Sequence, residues 1–161
     1  MLQAIAHFDA EGMGDDIHCC NDLIRSVLGP GFILDASCLP DLVMLAKDSD
    51  QRVVAMMTLH YTEGTHAWEI GNLLVLNSFK RDSMSRFLMD SVCSFIRVKY
   101  GNQHRAWLVQ RVKVNDEPRM EWMRSVGFER PEKWMHNVLS DEGFVPFDPF
   151  DHVLMKRRVF I

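Results

Sequence analysis

The sequence predicts a single α/β domain over residues 1–161, with a mixed central sheet flanked by helices. Three observations carry that expectation. Strand-like and helix-like segments follow one another as β-α-β-β-β-α-β-α-β, an order that buries its apolar faces when helices cover a sheet. Ala67 to Leu76 (AWEIGNLLVL) is nearly continuous in apolar residues, as a strand buried on both faces requires. Ser83 to Tyr100 sets Phe87, Leu88, Val92, Phe95 and Ile96 on one broad apolar face of a long helix, which Gly101 closes.

Each element has its own local reason. Leu2 to Phe8 is a short β-like run, and beyond Gly12 and Gly14 the acidic pair Asp15-Asp16 offers a cap to a helix. In that helix Ile17, Cys20, Ile24 and Val27-Leu28 recur at helical spacing up to Gly29-Pro30-Gly31, where Gly can end the turn and Pro cannot extend it. Leu42 to Ala46 and Val53 to Tyr61 are two β runs joined by the turn formers Asp48-Ser49-Asp50, which makes a hairpin. The run Ala67 to Leu76 follows the Glu63-Gly64 turn and is the expected central strand. After the long helix, Arg105 to Val112 (RAWLVQRV) is a strand, and Arg119 to Val126 is a short helix with Pro118 suited to its first turn and Gly127 at its end. A turn-rich stretch from Ser140 to Asp151 leads into a last strand, His152 to Phe160, whose edge is suited to pairing across a homodimer.

Composition narrows the function classes. At 47% hydrophobic and 25% charged, with 9 Gly and 6 Pro, the chain is globular and most of its length can pack. The net charge of −4, with Lys and Arg scattered outside Lys80-Arg81 and Lys156-Arg157-Arg158, argues against a nucleic-acid partner. The 4 cysteines (Cys19, Cys20, Cys38, Cys93) include no CxxC pair and read as reduced thiols of a cytoplasmic protein. No apolar run reaches the roughly 18 residues of a membrane span, and the first residues lack the basic start and apolar core of a signal peptide. Seven histidines are dispersed without metal-ligand spacing, so no metal is expected. Nucleophile-elbow, Walker, dinucleotide-binding and zincin motifs are absent.

Three stretches, in chain order, resemble landmarks of the GNAT superfamily of acyl-CoA-dependent N-acyltransferases. LLVLNSFKRDSMSRFLMDSV is similar to the family's central strand, phosphate loop and long helix; EWMRSVGFERP is similar to its short helix and following turn; DHVLMKRRV is similar to its closing strand. The match spans nearly the whole chain. It implies acetyl-CoA as co-substrate, and an amine-bearing small molecule or protein as acceptor. It also implies a pyrophosphate site at Lys80, Arg81, Asp82, Ser83, Met84 and Ser85, where the start of a helix presents free N–H donors and a partial positive charge to an anion. Further cofactor contacts fall on Leu74, Val75 and Leu76, whose strand would offer a backbone N–H to the thioester carbonyl, and on Asn115.

The departures from the family pattern are specific. Ser83 and Ser85 stand where the family has glycine or alanine, and Asp82 sets a negative charge beside Lys80, Arg81 and Arg86. Met123 occupies the position of a tyrosine that protonates the departing thiolate, and methionine has no proton to give. Gly71 occupies the position of a glutamate base. Glu69, two residues earlier and on the same strand face by period-2 geometry, and His60, at the end of the preceding strand, are the candidate bases. The function implied is transfer of an acetyl group to a primary amine by direct attack. The alternative, which the same departures imply, is a catalytically inactive CoA-binding regulator or interaction module.

Overall fold

Three helices accompany a sheet whose strands lie side by side in chain order, β1 to β6, in a computed structural model that describes residues 1–8, 13–31, 40–62, 66–101, 106–130 and 152–159. The elements are β1 (Gln3–His7), α1 (Asp16–Leu28), β2 (Leu42–Lys47), β3 (Val53–Thr62), β4 (Ala67–Val75), α2 (Arg81–Tyr100), β5 (Trp107–Lys113), α3 (Glu117–Ser125) and β6 (His152–Arg158). Every expected element is present in the expected order. The turn-rich stretch from Ser140 to Asp151 lies outside the described residues. The chain divides into two compact units, the first Met1–His60 with Ile70–Phe95, the second Tyr61–Glu69 with Ile96–Ile161.

In the first unit β1, β2 and β3 form an antiparallel meander, with His7 opposite Val43 and Met44 opposite Met57. The β2–β3 turn is tied by Asp48, whose Oδ1 accepts from the N–H groups of Asp50 (2.9 Å) and Arg52 (3.0 Å). That is the Asx chemistry the sequence called for. Helix α1 buries Cys20, Leu23 and Ile24 against Val43, Leu45, Val53, Met56 and Leu74. Each large side chain so buried contributes about 1.5–3 kcal/mol of transfer free energy. The helix ends at Gly29, where φ of 104° lies in the region that glycine enters freely. At its other end the expected cap takes a different form. Asp15 makes no side-chain cap hydrogen bond, and Asp16 turns instead to His7 Nε2 (2.8 Å) and Lys47 Nζ (2.7 Å), joining α1 to β1 and β2.

Helix α2 begins at Arg81, two residues before the expected Ser83. Its inward stripe of Met84, Leu88 and Val92, with Ser85, Met89 and Cys93 beside it, is buried at i, i+4 spacing. Strand β4 departs from the continuous burial expected of it: Gly71 and Asn72 are exposed between buried Ala67–Ile70 and Leu73–Val75.

In the second unit β5 runs parallel to the start of β4, the register ending at Glu69↔Val109, and antiparallel to β6 from Trp107↔Arg158 to Lys113↔His152. Asp116 caps α3 by accepting from Arg119 N–H (3.1 Å), with Pro118 in the first turn as expected. The helix closes at Gly127 (φ 98°), and Phe128 N–H reaches Met123 O at 3.0 Å. Glu129 exchanges two 2.8 Å backbone hydrogen bonds with Lys156, so the outer side of β6 is paired at that residue, on the edge expected to serve a homodimer.

Candidate active site

In the first unit the end of β4 feeds a tight turn, with Phe79 N–H bonded to Leu76 O at 2.9 Å, and α2 starts directly beyond it. Lys80, Arg81, Asp82 and Ser83 are exposed there, and the first-turn amides of the helix, those of Arg81, Asp82 and Ser83, precede its internal ladder. The early helix start corrects the expected donor set. Met84 N–H is donated to Lys80 O (3.0 Å), so its amide belongs to the ladder. Ser85 is fully buried, and its hydroxyl donates to Arg81 O at 2.7 Å, which turns it inward along the helix. Arg81 reaches back from the helix and donates from Nη2 to Leu73 O at 3.4 Å.

Leu74 and Val75 are buried and Leu76 is half-buried. The Leu76 N–H is donated to Val54 O (2.9 Å), which removes that amide from the donors expected for a thioester carbonyl. On the exposed step of β4, Asn72 N–H donates to Thr58 Oγ1 (3.0 Å). A Cβ at Gly71 would sit 3.2 Å from the same Thr58 oxygen, 3.6 Å from His60 Cδ2 and 3.8 Å from His60 Nε2. The His60 ring therefore lies beside the glycine, and it is exposed.

In the second unit Glu69 is 8% exposed and its carboxylate is held by Arg111, with Nε 2.7 Å from Oε1 and Nη2 donating to Oε2 at 3.4 Å. Burial pushes the Glu69 carboxyl above its ordinary value, and the Arg111 charge and hydrogen bond pull back against that without reversing it. A carboxylate engaged this way is a poor match for the free base expected of it. Period-2 geometry grouped Glu69 with Gly71, yet one is buried and the other exposed. Asn115 is exposed in the turn between β5 and α3. Met123 is fully buried, and Trp122 is covered by the Arg119 guanidinium 4.5 Å from its ring centre.

Sequence reasoning missed Arg111 and Thr58. Neither carries a motif; each becomes visible only when the fold brings it to its partner, Arg111 to Glu69 and Thr58 to Asn72 N–H. Among the described residues no group of three His, Cys, Asp or Glu side chains is placed to hold a metal ion, and no helix is long and apolar enough to cross a membrane.

The sequence matches no protein-family model and no curated protein. The fold, in contrast, is that of solved acetyltransferases. The ribosomal-protein-S18-alanine N-acetyltransferase from Escherichia coli superposes with a TM-score of 0.62 at 10% identity, over 100% of this chain and 96% of its own. An aminoglycoside 6'-acetyltransferase type Ii gives 0.63 at 15% identity, over 98% of both chains. An N-acetyltransferase from Staphylococcus aureus gives 0.61 at 12% identity, over 99% of this chain and 98% of that one.

Proposed function

We propose that the chain, which has the GNAT fold, uses that fold as one domain over residues 1–161 to move an acetyl group from acetyl-CoA to a primary amine of a small molecule or protein in the cytoplasm. The observation that supports this reading is the likeness to N-acetyltransferases along the full length of the chain. The residues at the α2 start suit the cofactor: the amides of Arg81, Asp82 and Ser83 and the cations of Lys80 and Arg81 match a pyrophosphate, with Asp82 as the opposing charge. Met84 and Ser85 hold the helix start, and Leu74, Val75 and Leu76 complete the cofactor contacts of the first unit in this reading. The acceptor's proton needs a base, and of the two candidates Glu69 is engaged by Arg111 while His60 is exposed.

The reaction needs little covalent machinery. The amine nitrogen bonds to the acetyl carbonyl carbon, the carbon–sulfur bond breaks, CoA leaves as a thiolate, and the ammonium proton passes to a base. Holding the two reactants in register supplies about 7–11 kcal/mol of barrier reduction. With Met123 buried at the family's tyrosine position, the thiolate takes its proton from water.

The test is calorimetric titration of acetyl-CoA into the protein and into Ser83→Glu, followed by thiol release with a panel of amines. Saturable binding that Ser83→Glu abolishes, with amine-dependent thiol release, is the expected result. Binding with no release for any amine would instead support a CoA-binding regulator, the reading that Met123 favours.

A further inference from the structure

We propose that His60 is the catalytic residue that takes the acceptor's proton, using the space left by the missing side chain of Gly71. The inference deepens the acetyl-transfer reading and rests on it.

Gly71 and Asn72 are the exposed residues of a strand otherwise buried over its described length. Gly71 does not have a positive φ, so backbone conformation does not explain why the position is glycine. Space does. A Cβ there would press to 3.2 Å on Thr58 Oγ1, the oxygen that receives Asn72 N–H, and would touch the His60 ring at 3.6–3.8 Å. A glycine within a strand marks a place where a ligand or another backbone comes close. Here it leaves the β4 backbone open to solvent, with the Nε2 side of an exposed imidazole beside the opening.

The chemistry at that opening belongs to histidine. A general base must exchange protons near neutral pH and be reachable by the substrate, and imidazole is the side chain that changes charge between about pH 5 and 8. Thr58 is engaged with the strand and has no basic group. Glu69 is buried under the Arg111 guanidinium and acts instead to hold β4 to β5 where their parallel register ends. In the proposed step the neutral amine nitrogen bonds to the carbonyl carbon, and His60 Nε2, directly or through one water, accepts the one proton that the now cationic nitrogen sheds. The carbon–sulfur bond breaks, CoA leaves as a thiolate, and the imidazolium returns its proton to solvent.

The test compares wild type, His60→Ala, His60→Gln and Gly71→Leu, with acetyl-CoA and excess n-propylamine as probe acceptor, following thiol release and, separately, acetyl-CoA binding by calorimetry. The expected result is a loss of about 10²–10⁴ in rate for both His60 variants. Acetyl-CoA binding and the melting temperature stay as in wild type, and added imidazole restores part of the His60→Ala rate. Gly71→Leu, which keeps His60 but displaces its ring, loses rate as well. Wild-type rates in His60→Ala, or a loss that imidazole does not restore, would overturn the assignment while leaving acetyl transfer standing. Wild-type protein that binds acetyl-CoA and releases no thiol would overturn both.

Discussion

Arg111 Nε lies 2.7 Å from Glu69 Oε1, joining two residues 42 positions apart across the parallel pairing of β5 with β4. The side chains are only 18% and 11% exposed, so each charge depends on the other for what water would have given it. Glu69 is the last β4 residue in register with β5, opposite Val109, and Arg111 lies two residues beyond, so the pair works as a clamp on the end of that pairing.

Arg111→Met is expected to lower stability by about 3 kcal/mol, because it leaves the buried Glu69 carboxylate without its cation. Replacing both partners, as in Glu69→Leu with Arg111→Met, should recover most of that loss. Urea denaturation of the three proteins checks this; equal destabilisation in the double variant would show that the charges do not carry the effect.

The same pair sets a pH dependence with a definite sign. Burial raises the folded Glu69 carboxyl above its unfolded value despite Arg111. Its proton-linked contribution is thus complete below the unfolded carboxylate range and is lost as pH rises through the raised folded pKa. Glu69→Gln should remove that segment from a plot of unfolding free energy against pH.

Asp16 gives the opposite sign. Burial would raise its carboxyl, but the hydrogen bonds from Lys47 and His7 outweigh it and hold the group below its ordinary value. Its contribution is therefore present above the unfolded pKa and lost as pH falls through the depressed folded one. Asp16→Asn should cost about 2 kcal/mol at pH 7, the scale of hydrogen bonds to charged groups, and should flatten the acid limb of the stability curve. An acid limb unchanged in the variant would show that other carboxylates dominate it.

Asp116→Ala removes the oxygen that accepts Arg119 N–H at the start of α3. The expected cost is about 1 kcal/mol, or about 2–4 °C in melting temperature for a chain of this size. Asp116→Asn, which keeps an acceptor, should melt close to wild type.

Cys20 is fully buried, and burial, with Asp16 adding to it, pushes its thiol up to about 12. Because the thiolate is the reactive form, iodoacetamide at pH 8 should leave Cys20 unmodified in the folded protein and label it readily in urea. Peptide mapping by mass spectrometry reads the result directly.

The candidate site was legible in the sequence only at its local parts. Lys80 to Ser85 stands out as a strand-to-helix junction with cations beside it, and Gly71 and Met123 stand out as substitutions in a family pattern. Which amides stay free at that junction depends on where the helix ladder begins. Two residues' difference moved Met84 N–H into the ladder and turned the Ser85 hydroxyl onto Arg81 O.

What the sequence by itself determined is what chemistry within a few residues controls. The glycine stop after α1, the Asx turn at Asp48, the Asp116 cap with Pro118, and the order of strands and helices all follow from periodicity and from contacts no more than about four positions apart. Tertiary structure alone decided the pairing of Asp16 with Lys47, 31 positions away, the capture of Glu69 by Arg111, and the setting of His60 beside Gly71. The physical reason is register. A strand's sequence sets which residues alternate, but its neighbour sets which residue each of them meets. A polar side chain away from water then takes whichever partner that register supplies.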